Sequence, residues 1–114
     1  MDIVFRTRKL QRMCSEEREM ARELGPKMTA KLRRRLMEMR GADTLADLSH
    51  LPPMRCHEES HNRAGQFSVD LEHPMRLIFV PANDPVPRRP DGGIDREKVT
   101  AVEIIEITDP HPKR

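Results

Sequence analysis

At 114 residues the chain has room for one hydrophobic core and not for a second domain. Hydrophobic residues make up 36% and charged residues 35%, with no Trp, no Tyr and three Phe, so a small core of Leu, Ile, Val and Met under a charged surface is expected. The net charge of +2 is uneven: residues 1–42 hold 12 Lys/Arg against 6 Asp/Glu and residues 43–114 hold 9 against 13, which makes the first part the better candidate for meeting phosphate.

Asp2–Phe5 is a short β-prone opening. Arg6–Leu24 is charged and helix-prone, and Ser15-Glu16-Glu17 reads as a fresh N-cap with acids in the first turn. Two short helical pieces are expected there rather than one rod. Gly25-Pro26 is a stop and restart, with Pro at the first position of the next helix. From Pro26 to Arg40 an apolar stripe of Met28, Leu32, Leu36 and Met39 recurs at helical spacing, and Lys31, Arg33, Arg34 and Arg35 crowd the remaining surface. Gly41 ends the helix, and Asp43 or Thr44 can cap a last turn over Leu45–Leu48. Cys14 and Cys56 are too few for a disulfide framework. No apolar run approaches the roughly 18 residues of a membrane span, and no signal peptide is recognised. A soluble, reducing, cytoplasmic setting is therefore expected.

Leu51-Pro52-Pro53 breaks the chain, and the period then changes to two. Met54–Glu58 can be a short strand. Gln66–Glu72 alternates, with Phe67, Val69 and Leu71 on one face and Ser68 and Asp70 on the other. His73-Pro74 is a tight turn, and Met75–Val80 returns as a strand with Leu77 and Phe79 opposite Arg76 and Ile78, completing a hairpin. Pro81–Arg96, with four Pro and two Gly, is expected to be a long mobile loop. Val99–Thr108 is the densest β-branched run. Val102 and Ile104 should face one side and Ala101, Ile105 and Ile107 the other, so it is expected inside a sheet with both faces covered. The order predicts a small α+β domain, with two N-terminal helices packed on one face of a twisted antiparallel sheet.

Three chemistries compete for the polar residues. Cys56, His57 and His61 are close in sequence but lie in strand and loop with no second paired-Cys motif, so no metal is expected. None of Ser15, Ser49, Ser60 and Ser68 sits in a Gly-x-Ser-x-Gly elbow, and there is no Gly-rich phosphate loop. The third is acid–base chemistry on a phosphodiester, which needs a group to take the 2′-hydroxyl proton, another to protonate the leaving 5′ oxygen, and a cation for the phosphorane. His57 and His111 end two strands, Asp109 stands beside the latter, and Arg63 and Arg76 lie in the loop and on the hairpin. Local pattern alone does not bring these residues together.

Lys31-Leu-Arg-Arg-Arg-Leu36, Arg55-Cys-His57, Arg63-Ala-Gly-Gln-Phe-Ser-Val69, Met75-Arg-Leu-Ile-Phe79 and Val102-Glu-Ile-Ile-Glu-Ile-Thr-Asp-Pro-His111 follow one another in an order and spacing that resembles the HigB branch of the RelE/ParE toxin superfamily, the plasmid maintenance system killer proteins. The resemblance covers most of the chain. It implies a RelE-like (microbial RNase-like) fold and a type II toxin that cuts mRNA on the ribosome without cofactor or metal. It also implies as partners the ribosome and mRNA, and a HigA-type helix-turn-helix antitoxin through which alone operator DNA is met. His57, Asp109, His111 and Arg76 match the family's catalytic positions, with Arg63 a basic residue in the loop and Lys31, Arg33, Arg34 and Arg35 expected to grip ribosomal RNA. Pro110 stands where the family's Asp-Tyr-His signature has Tyr, and Ser60 and Gln66 stand at positions often basic in the family. The alternative expectation is a catalytically weak or inactive RelE-fold binding protein, poisoning another target in the ParE manner or serving as a regulatory partner of a HigA-type protein.

Overall fold

A computed structural model of the chain describes residues 1–111. The order is β1 (Asp2–Phe5), α1 (Arg8–Ser15), α2 (Glu17–Gly41), β2 (His57–Glu58), β3 (Phe67–Asp70), β4 (Arg76–Pro81) and β5 (Ala101–Thr108), with short 3-10 turns between. The five strands form one sheet in the order β1-β5-β4-β3-β2. This is the expected α+β class, with one correction: the sheet is mixed. β2, β3, β4 and β5 run antiparallel, but β1 lies parallel to β5, pairing Ile3 with Val102 and Phe5 with Ile104. A parallel pair needs a long crossover, and here the whole intervening chain supplies it.

Thr7 caps α1 by accepting from the Leu10 N–H at 3.1 Å. The break between α1 and α2 comes one residue later than the sequence suggested: Ser15 closes α1, and Glu16 is the extended residue between the helices. α2 is itself broken at Gly25, whose φ of 76° and ψ of 172° are open only to glycine, and Pro26 restarts the helix. Gly25→Ala is expected to lower stability by about 1–3 kcal/mol, read as an earlier denaturant midpoint at unchanged slope.

Leu32, Leu36 and Met39 of α2 pack with Phe67, Val69, Leu77, Phe79, Val102 and Ile104 in a single cluster. Phe67 and Phe79 stack at 6.0 Å between centroids. The helices therefore cover one face of the sheet; the opposite, open face carries no helix, although Ser68 and Ile78 on it are fully buried. β5 is interior, as expected, but its two faces are not equally covered: Val102 and Ile104 are buried, while Ala101, Glu103 and Ile105 are half-exposed. A bulge in the β4–β5 ladder, where Phe79 pairs with Ile104 and Ile78 with Glu106, shifts the alternation by one residue. Ile107 thereby joins the core side opposite Leu77, against the expectation, and Glu106 and Thr108 turn to the open face.

The 81–96 segment is a lobe with its own ladder rather than an open loop. Arg88 bridges Ile94, the Arg89 and Gly92 N–H groups donate to Gly93 and Arg89 carbonyls at 2.7 and 2.9 Å, and Asn83 accepts from the Thr100 N–H at 2.9 Å. No helix among the described residues is long and apolar enough to cross a membrane.

Candidate active site on the open face of the sheet

Strand register places the open-face residues. His57, Ser68, Ile78 and Glu106 align across β2, β3, β4 and β5, and Asp70, Arg76 and Thr108 align one step along. Where β5 ends, residues 109–111 continue past Thr108. The result is a narrow cleft of about 100 Å³ lined by Arg55, His57, Glu59, His73, Arg76 and His111, with Asp70, Pro74 and Pro110 at its margins.

Its floor is built around Arg76, which is 4% exposed. The guanidinium donates from Nε to Ser68 Oγ at 2.6 Å, from Nη2 to the Ser68 carbonyl at 3.2 Å and to the Arg55 carbonyl, and from Nη1 to Asp70 Oδ1. Glu59 Oε1 stands 3.7 Å from Nε and accepts from the Ser68 hydroxyl. Burial pushes the guanidinium pKa down, with Asp70 and Glu59 opposing. Four of its hydrogen bonds are therefore taken by protein acceptors, and the sequence-predicted catalytic arginine serves as the anchor of the floor. The cation facing the cleft is Arg55, half-exposed and 3.2 Å from Asp70 Oδ2. Arg55 has φ +48°, in the left-handed region uncommon for a residue with a side chain. That conformation ends the extended run before β2, so Met54–Cys56 is not strand as expected. It also marks the position as one held by its surroundings, through the Arg55 N–H to Leu51 carbonyl bond at 3.0 Å and the Arg76 contact.

The two imidazoles are held alike. His57 Nδ1 lies 3.2 Å from the Glu58 carbonyl and 3.9 Å from Glu59 Oε1. His111 Nδ1 lies 2.6 Å from Asp109 Oδ1. The acceptors assign the proton of each neutral ring to Nδ1, which leaves both Nε2 atoms without a protein partner among the described residues. Asp109 Oδ1 also accepts the His111 N–H at 3.1 Å, closing an Asx turn over Pro110. Proline fixes φ at this step, so Pro110 restricts the backbone that joins Asp109 to His111. The His111 hydrogen bonds hold the Asp109 carboxyl below the usual carboxylate range.

The remaining predicted residues lie elsewhere. Arg63 reaches back to Glu106 at 2.5 Å and Gln66 at 3.0 Å rather than into the cleft. Lys31 pairs with Glu72 in the turn between β3 and β4, Arg33 pairs with Glu17 on the helical surface, and Arg34 is exposed. Arg35 is a correction. It is 3% exposed and donates to the Asp70 and Pro53 carbonyls at 2.8 and 3.0 Å and to Glu38 at 2.7 Å. A guanidinium buried and satisfied in this way ties α2 to the end of β3 and cannot grip ribosomal RNA. Besides the carboxylates Glu59 and Asp70, sequence reasoning missed two basic residues of the cleft: Arg55, named only as part of a motif, and His73, read only as a turn. The proximity of both to strand ends was the available signal.

The cysteines are outside this chemistry. Burial pushes the Cys14 and Cys56 thiols up to about 11. Both are expected to react with a disulfide reagent at pH 8 far more slowly in the native protein than in denaturant, measured by thiolate release. Because the folded pKa exceeds the unfolded one, their stability contribution is full below about pH 9 and is lost as pH rises towards 11. No group of three or more His, Cys, Asp or Glu among the described residues is arranged to hold a metal ion.

A scan against protein-family models finds no match to the chain, and a search of curated proteins finds none either.

Proposed function

We propose that this chain is an endoribonuclease of the metal-independent acid–base kind, and that it acts as the toxin of a type II toxin–antitoxin pair by cutting mRNA on the ribosome. The observation that carries the proposal is the pair of imidazoles, His57 and His111, in one cleft with the half-exposed Arg55, each with Nδ1 occupied and Nε2 free. In this reading one Nε2 takes the 2′-hydroxyl proton, and the 2′ oxygen attacks phosphorus. The other imidazolium protonates the departing 5′ oxygen, giving a 2′,3′-cyclic phosphate and a 5′-hydroxyl end. Arg55 meets the charge that builds on the phosphorane oxygens, and Asp109 orients His111. Arg76 is a positioning residue beneath them. The toxin setting, with a HigA-type antitoxin and the ribosome as partners, rests on the sequence resemblance.

The test is induction of the wild-type chain in cells with mapping of mRNA ends, beside a His57→Ala/His111→Ala chain. New codon-phased 5′-hydroxyl ends that vanish in the double variant are expected. Growth arrest that persists in the variant, or no new ends with the wild type, sinks the nuclease reading. A second reading, a catalytically silent RelE-fold binding protein, is favoured by the carboxylates set among the cations of the cleft, Glu59 and Asp70, with Asp109 against His111 at its edge. Arrest without cleavage is its signature.

A further inference from the structure

A second cleft lies on the other side of β2. It has a volume of about 580 Å³ and opens between the 81–96 lobe and the turn at Ala64 and Gly65. Three guanidinium groups line it, from Arg88, Arg89 and Arg96. Arg88 is steadied by its bond to the Gly92 carbonyl at 3.0 Å, and Gly92 has φ +90°, the conformation that turns the lobe tip back on itself. Arg96 lies 4.9 Å over the Phe67 ring, a contact that fixes the side chain without neutralising it. Among the described residues neither has a carboxylate partner, whereas Arg89 is shared with Asp91 at 3.4 Å. Among the described residues Glu58 is the one acid lining the cleft, and its carboxylate is engaged by the Gly65 N–H at 3.2 Å.

We propose that this cleft is a phosphate-binding channel for the backbone of a single RNA strand beyond the point of cleavage. Guanidinium groups present planar forks suited to phosphate oxygens. Three of them spread along a cleft far larger than one phosphate fit a polymer better than a small anion. His57 and Glu58 are consecutive on an edge strand and point to opposite faces, so the two clefts share β2 as their common wall. A strand leaving the imidazoles over the β2 edge meets the guanidinium groups next. The identity of the ligand as RNA rests on the ribonuclease reading; the anion cleft itself does not.

Binding of a 2′-O-methylated RNA of about 12 nucleotides, which carries backbone phosphates but no nucleophile, is measured by fluorescence anisotropy on the full chain across a salt series. Arg88→Gln/Arg96→Gln is expected to weaken binding at least about fivefold and to flatten the slope of log K against log salt by about 1.4, as for two lost phosphate contacts on a single strand. Glu58→Gln keeps an acceptor for Gly65 and removes the opposing charge, and is expected to tighten binding about twofold. Unchanged affinity and slope in a normally folded arginine variant overturns the proposal, as does equal binding of a polyglutamate of matched length. If the arginine variant melts early, Arg88→Lys/Arg96→Lys and Glu58→Gln decide. Affinity kept by the first and raised by the second supports the channel, and failure of both overturns it. A chain that cuts no RNA yet loses binding in the arginine variant leaves the channel standing and the ribonuclease reading fallen. Cleavage by a chain whose binding ignores these arginines means the reverse.

Discussion

His57→Ala is expected to slow RNA cleavage by about 10²–10⁴-fold, and His111→Ala by the same order, in single-turnover assays with ribosome-bound message. Both side chains are exposed, at 47% and 68%, so their truncation should leave the thermal midpoint within the range of ordinary surface substitutions. Loss of rate without loss of fold separates chemistry from architecture. The two changes are not expected to multiply. A phosphodiester that lacks either its base or its acid has already lost the concerted path, so the double variant should be about as slow as the slower single one. The pH–rate profile adds a readout that a structural role would not move. Wild type should show two limbs, and each single variant should lose one of them, which assigns base and acid. Asp109→Asn keeps an acceptor for the His111 N–H but weakens the hold on Nδ1, so a smaller loss confined to the His111 limb is expected. Two single variants that cleave at the wild-type rate would falsify the assignment of this cleft as the reacting centre.

The parts of the fold that depend on local periodicity could be read from the chain. The alternation from Phe67 to Asp70 set Phe67 and Val69 on one face and Ser68 and Asp70 on the other, and the structure keeps that division, with Phe67 and Val69 in the core and Ser68 and Asp70 bonded to Arg76. Gly25-Pro26 announced the helix break because few other pairs force one. What stayed hidden needed partners distant in sequence. The bulge that turns Ile107 inward and Glu106 outward exists only when β5 meets β4, and nothing in Val-Glu-Ile-Ile-Glu-Ile marks it. The parallel pairing of β1 with β5 likewise depends on the sheet edge left free by the hairpin. Arg35 is different, because its burial was legible. It falls three residues after Leu32 and four before Met39, within the apolar stripe, and a cation there must find buried acceptors. Its run of neighbouring arginines disguised it as surface. The convergence of His57 and His111 came from the family resemblance, since two strand ends so far apart in sequence carry no local signal of meeting.

The largest expected effect on stability belongs to Arg76→Met. The side chain is 5% exposed and links Ser68, Asp70, the Arg55 carbonyl and Glu59 on the open face. Methionine fills much of the volume but supplies no donor. Glu59, 11% exposed, then loses its nearest buried cation, and the Ser68 and Arg55 carbonyls lose theirs. Removing one partner of a buried, hydrogen-bonded charge pair costs about 3–5 kcal/mol, most of it the penalty of the charge left behind. A loss of that size is expected in the denaturant midpoint. The cause can be separated from simple loss of packing by a mutant cycle. Adding Glu59→Gln and Asp70→Asn to Arg76→Met removes the two carboxylates that faced the lost guanidinium, of which Asp70 still keeps Arg55 at 3.2 Å, and should recover roughly half of the loss, whereas the same two changes in the wild-type background should themselves destabilise. If the triple variant is no more stable than Arg76→Met alone, the floor is held by shape and not by charge. The same cycle bears on function, because Arg76 fixes the left-handed backbone at Arg55 through its carbonyl. A triple variant that regains stability but not cleavage places the remaining deficit in the aim of Arg55. The guanidinium under the floor then acts on the reaction through the one above it.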